Sequence, residues 1–214
     1  SYIPTPKDLA AKRAVINVRN EDNRCFGYAI LSAVFPAGKN ACRPNKYIDY
    51  FNKVRFDGIE FPVKLSSIQK FEKLNRDFCS TCKHHNCTNE THERGLAIYV
   101  FEWNKNGPSP LRISDQIGYK IRLMLLHSED QWHYTYIKDF HRLLRHISSY
   151  HGRLFWCDKC LYVTRYDDVM ERHQEDCLGI DKSPCSIIMP PKGDAVSFKN
   201  TPHPPQAPFI LHRA

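Results

Sequence analysis

One spacing constrains this chain more than any other feature. Cys157 and Cys160 flank two residues; twelve further residues separate Cys160 from His173, and three separate His173 from Cys177. A two-residue gap lets both thiolates of a β-turn face one ion, and a four-residue step puts His173 and Cys177 on one face of a helix. The spacing therefore predicts a ββα-type zinc finger over 153–178, held by Cys157, Cys160, His173 and Cys177. Leu154, Phe155, Trp156, Tyr162, Val169 and Met170 supply its small apolar centre. Its helix carries Asp167, Asp168, Glu171, Glu175 and Asp176, which phosphates repel. The finger reads as structural or protein-binding, with DNA the less favoured partner.

A second stretch, CSTCKHHNCTNETH over 79–92, breaks the surrounding composition and looks inserted between a helix and a strand. Cys79, Cys82, Cys87 and His92 are its expected ligands, a zinc knuckle with no open position for water. The chain has nine cysteines, an odd number. Together with two Cys-x-x-Cys pairs this favours structural zinc in a reducing compartment, and so an intracellular protein of cytoplasm or nucleus, over a secreted disulfide scaffold. No apolar run reaches about 18 residues, so no membrane span is expected. The net charge of +8 suits an acidic partner, nucleic acid or protein, and equally a generally basic exterior.

The third feature is Ala14–Pro36, AVINVRNEDNRCFGYAILSAVFP. A short apolar strand (Val15, Ile16, Val18) enters a polar turn, and Cys25 stands where that turn becomes an apolar helix. The free N–H groups of a helix start favour a thiolate. Cys25 is thus a candidate nucleophile, the alternative being a small core residue. A thiol nucleophile needs a base, and His133, at the start of the stretch HYTYI, is the candidate. A third group would orient the ring: Asp139, which also suits a helix N-cap, or Asp130 in the preceding turn. The amide of Asn20 or Asn23, with the Cys25 backbone N–H, would receive the oxyanion.

The remaining pattern is α+β. Residues 1–13 form an arm with Pro4 and Pro6, with a helical turn over Asp8–Arg13. Tyr47–Val54 and Leu65–Leu74 have helical periodicity, the second with Ser66 or Ser67 as cap. Ile59, Phe61 and Val63 alternate as in a strand. Leu96–Trp103 is a strand, and Tyr119–His127 with His133–Ile137 form a hairpin. A helix follows, carrying Leu143, Leu144 and Ile147. The prolines after Gly179 predict an extended tail over 179–214.

INVRNEDNRCFGYAILSAVFP, FDGIEFPVKLSSIQKFEKLN, PLRIS, HYTYIKDFHRLL and FWCDKCLYVTRYDDVMERHQEDC, in this order, resemble the region that precedes the family B DNA polymerase of Maverick/Polinton-type transposons. The final stretch, VSFKNTPHPPQAPFI, resembles the lead-in to that polymerase's exonuclease domain and stops before its acidic metal motif. Asp22-Asn23-Arg24-Cys25-Phe26 is similar to the nucleophile box of ovarian-tumour-type deubiquitinases, and His133-Tyr134 to their His box. Herpesvirus large tegument proteins have a related arrangement. Thr135 stands where the first group carries Asp or Asn, and Gln131 where the second carries Asp. The resemblance implies a papain-like cysteine protease domain over 14–150, a deubiquitinase-like enzyme with ubiquitin or a ubiquitin-like protein as substrate. Two alternatives stand beside it: a polyprotein-processing protease, and a degenerate zinc-finger module binding DNA or the polymerase.

Overall fold

The computed structural model describes residues 2–105, 107–128, 131–144 and 152–177. The predicted tail over 179–214, and Asp130, lie outside the described residues.

The most apolar run of the chain forms its central strand. In LAIYVF every residue from Leu96 to Phe101 is buried, so this strand is covered on both faces. In chain order the elements are α1 (Lys7–Lys12), β1 (Val15–Ile16), α2 (Cys25–Val34), α3 (Ile68–Leu74), β2 (Leu96–Asn104), β3 (Gly107–Arg112), β4 (Tyr119–Ser128), β5 (Gln131–Ile137), α4 (Phe140–Leu144), β6 (Phe155–Trp156), β7 (Val163–Thr164) and α5 (Asp167–Asp176). A five-stranded mixed sheet has the order β1-β5-β4-β2-β3, and β6 with β7 makes a separate ribbon. β2 and β4 run parallel, from Leu96 opposite Tyr119 to Glu102 opposite Leu125; every other pairing is antiparallel.

Alternation along the strands sends two sets of side chains to two faces. Ile98, Val100, Leu123, Leu125 and Tyr134 pack under α2 and α3. Ala97, Phe101, Met124, Leu126 and Ile137 pack with Leu9 of α1 and with Phe140, Leu143 and Leu144 of α4. The parallel pair begins where two chains nearly touch. Gly118 has φ +149°, and a Cβ there would lie 2.5 Å from the Gly95 carbonyl carbon.

α3 carries a carboxylate into the core. Glu72 is 1% exposed. Its Oε1 accepts from the Ile98 N–H at 2.7 Å, from Ser114 Oγ at 2.6 Å and from Arg112 at 3.1 Å. Oε2 takes a second guanidinium N–H of Arg112 at 2.5 Å. A buried charge persists only when matched this fully.

Two local expectations are corrected. Tyr47–Val54 is not an α-helix; the chain makes tighter 3-10 turns over Pro44–Lys46 and Ile48–Lys53. Asp, Asn, Tyr and Phe dominate IDYFNK and are poor helix formers, while Tyr47 is anchored by its hydroxyl donating to the Ala41 carbonyl at 2.7 Å. Ile59–Val63 pairs with no strand; Ile59 and Val63 are buried one by one, and Pro62 has no N–H to offer a ladder.

Candidate active site and metal centres

Cys25 is the first residue of α2, a helix buried along its whole length from Cys25 to Val34. Gly27, in its first turn, admits the Phe51 ring: a Cβ there would meet Phe51 Cε1 at 2.5 Å. The helix packs on β5, and the Cys25 thiol reaches that strand at Tyr134. Burial pushes the Cys25 thiol above its ordinary pKa, while the backbone N–H groups of Tyr134 and Phe26 pull it down; burial wins. This corrects the expectation that a helix start lowers the pKa here, because α2 begins inside the core, at 2% exposure of Cys25, rather than at the surface.

Tyr134 and His133 are consecutive, so their side chains leave the strand on opposite faces. Tyr134 packs with Phe26 in a T-shaped contact at 5.3 Å on the α2 side. His133 is fully buried on the other side. The sulfur and the imidazole thus flank the His133–Tyr134 peptide from opposite faces of β5, beyond the end of β1, whose two residues pair with Tyr136 and Ile137.

Past the end of β1 comes Asn17, on the His133 face by the same alternation. Its Oδ1 lies 2.8 Å from His133 Nε2. Its Nδ2 donates to the Ile3 carbonyl and to Thr5 Oγ1, both at 2.9 Å. Those two donor bonds fix which way the amide points, so Oδ1 must accept from Nε2–H. In the neutral ring the lone pair then sits on Nδ1.

The orienting group expected from the sequence was Asp139 or Asp130. Asp139 instead caps α4: its Oδ1 accepts from the Arg142 N–H at 3.1 Å and its Oδ2 pairs with the Arg142 guanidinium at 2.9 Å. Asn17 holds the ring. The signal was present as one amide within the apolar run Val15-Ile16-Asn17-Val18. Asn20, expected to receive an oxyanion, is 1% exposed, and its Nδ2 is committed to the carbonyl and carboxylate oxygens of Asp22 at 2.8 and 2.9 Å. Its Oδ1 is buried without a partner among the described residues. Asn23 is exposed.

Both Cys/His groups converge. In the first, the donor atoms of Cys79, Cys82, Cys87 and His92 all lie within 4.8 Å of one another, as do those of Cys157, Cys160, His173 and Cys177 in the second. The Cys82 and Cys87 sulfurs are 3.5 Å apart, and His92 Nδ1 is 3.2 Å from Cys82 and 3.6 Å from Cys79 and Cys87. In the second group Cys157 and Cys177 are 3.7 Å apart, and His173 Nε2 is 3.1 Å from Cys160. Zn–S bonds of about 2.3 Å give tetrahedral sulfur–sulfur edges of about 3.8 Å, so both sets suit one ion each. The Cys157–Cys160 hydrogen bond pulls the Cys157 thiol down and pushes Cys160 up, so the pair favours one thiolate beside one thiol.

The first group closes on itself at its base: the Gly95 N–H donates to the Phe78 carbonyl at 2.8 Å, and Cys79 bridges to Arg94. The second is fastened to the sheet. Asp158, between the two cysteines of its turn, is gripped by Arg122 of β4 through two bonds of 2.6 and 2.8 Å. Trp156 stacks on Phe140 of α4 at 5.4 Å.

Compared with protein-family models, with curated proteins and with solved structures, the chain matches none. No helix among the described residues is long and apolar enough to cross a membrane.

Proposed function

We propose that the sheet and α2 form a papain-like cysteine protease domain, acting on isopeptide or peptide bonds with ubiquitin or a ubiquitin-like protein as substrate. The observation that carries this reading is the Asn17–His133 hydrogen bond beside the β5 peptide that the Cys25 sulfur reaches from the other face. A ring held at Nε2 by an amide oxygen presents Nδ1 as base. In the reaction, the thiol gives its proton to the imidazole and the thiolate attacks the carbonyl carbon. The amine leaves with that proton as a thioester forms, and water then releases the acid and restores the thiol.

We infer also that both Cys/His groups hold structural zinc, since each offers four soft donors and none is left over for water. The transposon resemblance of the sequence fits a mobile-element protein whose protease acts on host ubiquitin conjugates or on its own polyprotein.

A ubiquitin probe with a C-terminal electrophile tests the enzymatic reading. Wild type should be labelled and Cys25→Ala should not. Equal labelling of both, or of neither, counts against it. The competing reading is a catalytically degenerate zinc-bearing module that binds DNA or the polymerase. The burial of Cys25 and its raised pKa favour this alternative, and it predicts no labelling but salt-dependent DNA affinity.

A further inference from the structure

His133 is covered by the segment from Tyr2 to Thr5. The Tyr2 ring meets the imidazole edge-on at 5.7 Å. Ile3, 7% exposed, and Thr5 take both donor bonds of the Asn17 amide. His133 has no exposed surface and Asn17 is 9% exposed, with this segment packed against both. The segment has a fixed root and a light hold. Beyond Pro6, α1 is pinned by fully buried Leu9 and by Trp103 Nε1 donating to the Asp8 carboxylate at 2.6 Å. Between Tyr2 and Thr5 the contacts on the His133–Asn17 pair include two amide hydrogen bonds and one ring edge.

We infer that residues Tyr2–Thr5 are an autoinhibitory strap, which swings about Pro6 to uncover His133 and Asn17 and competes with substrate for the Asn17 amide. This rests on the protease reading for its consequence but not for its geometry. A strap that is open about one tenth of the time weakens apparent substrate affinity about tenfold.

The test compares the full chain with a variant lacking the first five residues and with the milder double substitution Tyr2→Ala, Thr5→Ala. Metal content and near-ultraviolet circular dichroism establish that each is folded. Diethyl pyrocarbonate modification of His133, mapped by mass spectrometry, reads the cover directly. The ubiquitin electrophile reads function as separate affinity and maximal labelling rate at Cys25. The strap predicts faster His133 modification in both variants, by about tenfold, with tighter probe binding. Faster modification with no Cys25 labelling in any protein upholds the cover and defeats the protease reading. Unchanged His133 modification in the folded variants overturns the strap.

Discussion

His133 Nε2 donates to Asn17 Oδ1 at 2.8 Å, joining residues that stand 116 positions apart. If that bond orients the base, Asn17→Ala should lower the rate of electrophile labelling at Cys25 about a hundredfold, toward the lower end of what a positioned base supplies. Asn17→Asp keeps an acceptor and should recover much of the rate. Loss to the same degree in both variants, or in neither, removes Asn17 from that role.

Metal analysis should find two ions per chain, one for each Cys/His group. Cys160→Ser should retain one and lose the order of α5; Cys82→Ser should retain the other and keep the sheet. Acidification releases both, because the ligands bind metal only when deprotonated. A full complement of metal in either variant would show that the missing sulfur was never a ligand.

Glu72→Ala leaves the part-buried Arg112 guanidinium, the Ile98 N–H and the Ser114 hydroxyl without their shared acceptor. The expected loss is about 3–5 kcal/mol, read as a lower denaturant midpoint at unchanged slope. Glu72→Gln, which keeps one acceptor, should cost less. A loss below about 1 kcal/mol for the alanine variant would mean that water replaces the carboxylate.

Alkali should weaken the fold. Burial pushes the thiol of Cys25 and the phenol of Tyr134 up, and pushes Tyr47 up to about 12. Their unfolded counterparts ionise near about 8.5 for Cys and about 10 for Tyr. Above those values the folded chain binds more protons, so their stabilisation is complete at neutral pH and fades as pH climbs through the raised folded values. Thermal midpoints between about pH 8 and about pH 11 should fall, and more gently in Cys25→Ala.

Arg122→Ala should release the finger without emptying it, since Arg122 touches Asp158 and no ligand atom. Trp156 emission should shift to the red while metal content stays constant. Loss of metal instead would mean that the Cys157–Cys160 turn depends on this grip for its shape.

Much of this was readable from local pattern. The periodicity of Phe26–Val34 gave α2, the apolar run from Leu96 gave β2, and the two Cys/His groups converge as their spacing implied. What was hidden was long-range. The parallel pairing of β2 with β4 depends on Gly95 and Gly118 approaching across the sheet, which no local signal announces. Asn17 was overlooked because a carboxylate was sought near His133 in sequence, whereas β1 brings its amide in from the far end of the chain. Nor could spacing say that α2 starts under cover, which reverses the sign of the shift at Cys25.

The knuckle departs from the domain at Cys79 and comes home at Arg94, the two residues facing each other across a single bridge. The stalk is not its whole hold: within the loop His85 Nδ1 lies 2.9 Å from Asp77 Oδ1, and Lys83 sits over the Phe35 ring. Exchanging residues 80–93 for a short turn would leave the pairing of β2, which begins at Leu96, but would strip Asp77 and Phe35 of those neighbours. The module is thus grafted on by a narrow neck and steadied by two side chains.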